Sequence, residues 1–317
     1  MPKKEPRKQL RDDLERAGAT EDSLRRVMDG VRGAVKFNEP LQKYTSFRIG
    51  GPADVWVEPA DVDDVRRVVK QAHGAKIPLF VLGGTNILVR DGGIRGVVIS
   101  LAKMRTVRQE SDHVLYAEGG VGMPTLIGHA VRRGLSGLEW GAGIPGTVAG
   151  CVVMNAGTRL GEMKESVKAI RLVTGKGEVV DLNASDIEFG YRHARLPRGV
   201  VVGVWLQLKP GAGKDIEKTV KDYLQYRKNT QPLSLPSAGC VFRNPPKGTA
   251  GRLVEMAGLK GARVGDAQVS DKHANFMVNL GQARAKDVLE LIKKVRQEVR
   301  KKTGVLLDLE LKVIGRA

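Results

Sequence analysis

The chain has 317 residues, 41% of them hydrophobic but only 4% aromatic, and 53 Lys and Arg against 35 Asp and Glu leave a net charge of +18. That length exceeds one ordinary core and predicts two or three lobes, packed on Val, Leu, Ile and Ala. Two cysteines exclude a disulfide framework and a Cys-based metal cluster, and no apolar run of about 18 residues exists to span a membrane.

The charged N-terminus lacks the apolar stretch of a secretory signal, so the cytoplasm is the expected compartment. Residues 1–36 carry spaced apolar positions, Leu10, Leu14, Leu24, Val27 and Val31, and read as a basic extension of one or two short helices. After the turn Gly50-Gly51-Pro52, residues 53–57 read as a strand. Asp61 is placed to cap a helix whose inner face is Val62, Val65, Val69 and Ala72. Strands are expected at 77–82, 87–89 and 97–101, divided by Gly83-Gly84-Thr85-Asn86 and by Asp91-Gly92-Gly93. A strand at 114–117 leads through Gly119-Gly120 to a helix over 124–133, with Pro124 in its first turn. Strands 167–174 and 178–182 flank Gly175-Lys176-Gly177, a hairpin signal, and strand 200–208 runs into Pro210-Gly211. A domain boundary is placed there. Residues 37–211 then form one domain in two lobes, 37–101 and 102–211, residues 215–302 a second domain, and 303–317 a C-terminal strand. The second domain is expected to hold helices at 215–227, 252–258 and 283–302, the last stopped by Gly304, with strands at 240–242, 273–280 and 305–314.

The glycines carry the first chemical signal. A dinucleotide fingerprint G-x-G-x-x-G between strand and helix is not found. Residues 83–86 lie instead between two strands, where a tight turn aims successive N–H groups at a phosphate or simply reverses the chain. Gly141, Gly143, Gly146, Gly150 and Gly157 alternate with the apolar Val148, Ala149, Val152, Val153 and Met154. Such a stretch reads as backbone laid against a flat ligand, or as a glycine-rich core turn. Cys151 within it reads as a small buried hydrophobe. The charge suits anionic partners, from nucleic acid to phosphorylated small molecules. Its basic runs, in 1–33 and 293–302, have no interleaved aromatics, zinc spacing or recognition helix, which argues against nucleic acid. His73, His113, His129 and His193 show no ligand spacing, so no metal is expected.

Eight segments in chain order resemble the MurB family, the UDP-N-acetylenolpyruvoylglucosamine reductases of peptidoglycan synthesis. They are NEPLQKYTSFRIGGPAD (38–54), VLGGTNILVRDGGIRGVVI (81–99), GLEWGAGIPGTVAGCVVMNAG (137–157), FGYRHARLP (189–197), PSAGCVFRNP (236–245), AGLKG (257–261), KHANFMVN (272–279) and LELKVIG (309–315). The resemblance implies an α+β fold: a two-lobed FAD-binding domain of the vanillyl-alcohol-oxidase type, plus a smaller α+β substrate-binding domain of the shorter form. FAD is the implied cofactor and NADPH the co-substrate, with UDP-N-acetylglucosamine enolpyruvate as the substrate. Gly83, Gly84, Thr85, Asn86, Gly119 and Gly120 are implied to meet the pyrophosphate and ribose side of the cofactor. Gly143, Ile144, Pro145, Gly146, Thr147, Gly150, Asn155 and Gly157 are implied to lie along the flavin. Tyr191, Arg227, Asn244, Lys272 and His273 are the implied substrate contacts. Two departures stand out. The 83–86 loop is one residue shorter than the family's, and Cys240 occupies the family's serine position.

The implied reaction passes hydride from NADPH to FAD and from flavin N5 to the enolpyruvyl group. An enolate then develops and must be protonated. Arg192 is the implied carboxylate and enolate clamp, since a guanidinium is always charged and binds carboxylates through two N–H groups. Cys240 is the implied proton donor; read alone it is a buried spacer, but a thiol, with a reference pKa of about 8.5, is an easier acid than a hydroxyl. Glu310, expected in the last strand with Asp308 on its face, is the third catalytic candidate. The rival readings are another FAD-dependent oxidase or dehydrogenase of the same fold and, more remotely, a basic nucleic-acid-binding protein. An acidic partner for the basic tail is a further expectation.

Overall fold

Asp61 caps the helix Val62–Gly74 as its position predicts: its carboxylate accepts from Asp64 N–H at 3.0 Å, and that bond holds the Asp61 carboxyl below its usual range. The inward face is Val65, Val68, Val69 and Ala72, joined by the buried carboxylate of Asp64. Asp64 accepts backbone N–H groups from Arg32, Gly33 and Ala60 at 2.8–3.0 Å, which ties the entering chain to the helix. The computed structural model describes residues 20–83, 85–246 and 248–317. The first part of the basic extension, and Gly84, lie outside the described residues.

The described chain divides into two units. Unit 1 comprises residues up to 39, 53–83 and 95–216. It contains a four-stranded sheet in the order Ala34–Pro40, Pro52–Glu58, Ile94–Ile99, Leu79–Val81, the last pair parallel. It also contains a five-stranded antiparallel sheet in the order Val179–Asn183, Val167–Thr174, Gly199–Gln207, Val114–Glu118, Val107–Ser111. Helix Val62–Gly74 packs against strand Val167–Thr174, and the short helix Val148–Val153 against strand Gly199–Gln207. The strand Ala34–Pro40 starts inside the stretch expected to be a helical extension; its alternating exposure is that of an edge strand.

Unit 2 comprises residues 40–52, 84–94 and 217–317. Its antiparallel sheet runs Ser237–Cys240, Phe276–Asn279, Ala267–Val269, Arg263–Val264. Helix Ala285–Thr303 buries Val288, Leu291, Ile292, Val295 and Val299 in a core that also holds Phe47, Leu88 and Phe242. Gly304 ends the helix in the left-handed conformation (φ 72°), its N–H donating to Arg300 O. Asp91, read from sequence as a turn residue, accepts from the N–H groups of Ala285 and Lys286 at 2.9 and 3.1 Å and so serves this helix start.

The boundary placed at 211–215 falls between Ile216 and Glu217, and two segments expected in the first domain, 40–52 and 84–94, pack with the C-terminal unit instead. The reason is strand pairing: Ile87–Val89 lies parallel to Lys312–Ile314 in the register Leu88–Val313. The last strand is correspondingly short. Residues 305–311, expected as strand, contribute only an isolated bridge between Leu309 and Phe242, so Glu310 precedes the strand rather than lying in it. No helix among the described residues is long and apolar enough to cross a membrane.

Candidate active site

In unit 2, Cys240 ends the strand Ser237–Cys240. The pairing with Phe276–Asn279 is irregular there: Ser237 faces Val278 and Cys240 faces Phe276, so Ala238 and Gly239 together oppose one residue. Gly239 sits at φ 76°, a conformation that favours glycine, and the resulting bulge re-aims the side chain that follows it. Cys240 is half-buried. The carbonyl of the next residue, Val241, accepts from the N–H of Glu310 at 2.9 Å and of Leu311 at 3.2 Å. Two residues far apart in sequence are thus carried on directly bonded backbone. Asn275 holds the other side, its side chain accepting from Phe242 N–H and donating to Phe242 O at 2.9 and 2.8 Å. Asn86 donates to the Glu310 carbonyl at 3.2 Å. The Ser46 hydroxyl reaches the carbonyls of Thr85 and Ser237, stitching the 85–86 loop to the cysteine strand. Sequence reasoning missed Ser46 and Asn275; their only signal is their place inside the YTSF and KHANF segments.

Arg227, an implied substrate contact, lies on the helix Gly213–Thr230. It is only 8% exposed, donates Nε–H to Gln231 at 2.9 Å, and lies within electrostatic reach of Cys240 and Tyr223. Burial pulls the guanidinium below its usual value, yet a guanidinium stays protonated at neutral pH. A fixed positive charge therefore neighbours the thiol.

In unit 1, segments 119–123 and 146–149 run side by side: Val148 N–H donates to Val121 O, Ala149 N–H to Gly119 O and Met123 N–H to Gly146 O. The stretch read as bare glycine-rich chain contains the six-residue helix Val148–Val153, capped by the Thr147 hydroxyl on Gly150 N–H. A side chain on Gly120 would strike the Leu101 carbonyl and one on Gly119 the Val201 carbonyl, so both glycines are already required by the protein's own packing. Gly83 and Gly150 approach closely; a Cβ on Gly83 would lie 3.4 Å from Gly150 Cα. The rim from Gly143 to Thr147 is open or half-buried, Gly143 at φ 74°. Gly157 packs against Glu162. Cys151 is fully buried, and desolvation pushes its thiol up to about 12, consistent with an inert core residue.

Tyr191 and Arg192 form the tip of the hairpin Glu188–Gly190/His193–Arg195. Arg192 is held at φ 57°, and its guanidinium lies 5.1 Å from the centroid of the half-exposed Tyr191 ring. Asn155, expected along the flavin, is completely buried and has its amide engaged in unit 1: it donates to Glu162 and to the Gly190 carbonyl at 3.0 and 3.1 Å, and accepts from Lys164 N–H at 3.0 Å. The Gly190 bond anchors the hairpin one residue before its tip.

The remaining predicted residues have structural partners in unit 2. Asn244 accepts from Ala250 N–H at 3.0 Å, and Lys272 donates to the Lys228 carbonyl at 2.6 Å. His273 packs edge-on to Phe276 at 4.9 Å and accepts from Asn275 N–H through Nδ1. Desolvation holds His273 below its ordinary value of 6.5. The unfolded chain therefore binds that proton more readily, and the stability that neutral His273 contributes is complete above 6.5 and declines as pH falls below it. In melts between about pH 7 and 5, the stability advantage of the parent over His273→Gln should shrink with acidification. A constant difference would remove histidine titration as the cause.

Residues 231–314 match the family model of the UDP-N-acetylenolpyruvoylglucosamine reductase C-terminal domain, and residues 53–183 that of the FAD binding domain. UDP-N-acetylenolpyruvoylglucosamine reductase 2 of Symbiobacterium thermophilum is 44% identical over 286 residues, covering 89% of this chain and 93% of its own. The chain belongs to the UDP-N-acetylenolpyruvoylglucosamine reductase family. The reductase of Moorella thermoacetica is 44% identical over 291 residues, 91% of this chain and 96% of that protein. The crystal structure of the family member MurB from Thermus caldophilus has a TM-score of 0.78 at 38% identity, covering 90% of this chain and 99% of that one.

Membership makes the protein an FAD-dependent oxidoreductase of mixed α and β architecture, with an FAD-binding domain and the family's C-terminal domain. Its residues fit the cofactor. Asn86 Oδ1 is buried without a hydrogen-bond partner among the described residues, an acceptor that a cofactor hydroxyl would satisfy.

Proposed function

We propose that the protein reduces UDP-N-acetylglucosamine enolpyruvate to UDP-N-acetylmuramate with NADPH, a cytoplasmic step in peptidoglycan precursor synthesis. The reading is supported above all by the bond between Glu310 N–H and the Val241 carbonyl, which puts the backbone of Glu310 beside that of Cys240. FAD, when bound, would supply the hydride chemistry, taking the hydride from NADPH and passing it to the terminal enolpyruvyl carbon. The chain's residues do the rest. Arg192 grips the substrate carboxylate and gains as negative charge spreads onto it, so it lowers the barrier and not merely the dissociation constant. Cys240 delivers the proton to the carbon next to the carboxylate, leaving a thiolate that the buried Arg227 stabilises. Glu310, its backbone fixed by Val241 and Asn86, assists at the enolate. Gly83, Thr85, Asn86 and the 143–147 rim hold the cofactor, with Asn155 acting through the hairpin. Tyr191, Asn244 and Lys272 line the route of the sugar diphosphate.

The purified protein should be yellow, bleach with NADPH and regain colour on adding the enolpyruvyl substrate without oxygen. Rapid reoxidation by oxygen alone, with no response to that substrate, would favour an oxidase of the same fold. Glu310→Gln should leave bleaching intact and slow recovery by about 100-fold or more. Equal loss in both halves would deny it a specific role.

A further inference from the structure

Along helix Ala285–Thr303, Leu289, Ile292, Arg296 and Arg300 recur every three or four residues on one side, with Lys293 next to Ile292. With Leu306 beyond the helix end they line a groove of about 370 Å³. Its floor is apolar, and Leu306 is 52% exposed although large and hydrophobic. Its rim carries three cations and no carboxylate. Arg296 Nε is buried there with no hydrogen-bond partner among the described residues, a donor waiting for an acceptor. None of these groups has a part in the reduction, and the inference does not rest on that reading.

We propose that this groove docks an acidic, leucine-bearing peptide segment of a partner protein, its apolar side chains on Leu289, Ile292 and Leu306 and its carboxylates at Lys293, Arg296 and Arg300. Charge complementarity selects this occupant. A second copy of a chain with net charge +18 would add repulsion, and a purely apolar partner would bury the three cations uncompensated. A concave apolar floor receives individual side chains, whereas a bilayer presents a flat surface.

The test is fluorescence anisotropy of the full-length holoenzyme with a fluorescein-labelled helical peptide of about twelve residues, glutamate-rich with leucines at three- and four-residue intervals. Saturable binding is expected. It should weaken about tenfold or more with Arg300→Glu, Arg296→Glu or Leu306→Ser, and with a peptide carrying Gln for Glu. Thermal melts and NADPH bleaching of Arg300→Glu, an exposed residue, should match the parent. The proposal is overturned if no saturable binding occurs, if the Glu and Gln peptides bind alike, or if Arg300→Glu binds as the parent does. Cosedimentation with phosphatidylglycerol vesicles that Arg300→Glu abolishes, without peptide binding, would assign the groove to lipid and equally overturn it.

Discussion

Cys240→Ala is expected to slow substrate-dependent flavin reoxidation by about 100- to 10,000-fold, the usual range for removing a positioned proton donor. Bleaching by NADPH should be unaffected, because no proton from Cys240 enters that half. Cys240→Ser should recover much of the loss, since serine is the residue the family pattern carries there. The bulge at Gly239 fixes the direction of either side chain, so the comparison isolates acidity from placement. If alanine reoxidises as fast as cysteine, the proton comes from elsewhere. The thiolate left by transfer adds a second signature. Arg227→Gln removes the neighbouring charge and should slow the same half-reaction, with its pH profile displaced to higher pH.

Arg192→Lys is expected to cost about 100- to 1,000-fold in the same half-reaction, because an ammonium cannot span both carboxylate oxygens as a guanidinium does. The backbone supplies an independent check. A non-glycine residue at φ 57° stores about 1 kcal/mol of strain, and such strain is retained where surrounding structure and function require it. Arg192→Gly should therefore abolish turnover without lowering the melting temperature, relief of strain offsetting the freer unfolded chain. A large fall in stability would mark Arg192 as a structural residue of the hairpin instead. Asn155 makes this argument physical, for its bond to Gly190 O holds the tip from within the protein.

Cys240 and Arg192 were both legible in the sequence through the FGYRHARLP and PSAGCVFRNP segments, but their settings were not. Composition alone leaves Cys240 a buried spacer; the Gly239 bulge and the bond of Glu310 N–H to the neighbouring Val241 carbonyl set it apart from Cys151, whose thiol burial pushes up to about 12. Nothing in the residues neighbouring Arg227 reports that the fold closes over it. Gly119 and Gly120 were implied cofactor contacts, and only the fold shows how closely the Val201 and Leu101 carbonyls approach them.

By itself the sequence determined what depends on neighbours a few residues away: the Asp61 cap, the Gly304 stop, the inward stripe of helix Ala285–Thr303 and most of that of helix Val62–Gly74, where Val68 takes the place expected for Val62. These follow from local hydrogen bonding and from the 3.6- and two-residue periods. The tertiary structure decided the rest: that 40–52 and 84–94 join the C-terminal unit, that Glu310 stands before the last strand, and that its carbonyl meets Asn86 from 224 positions away. Contacts of that separation depend on which strands find one another after the chain collapses, and no local pattern of residues encodes that choice.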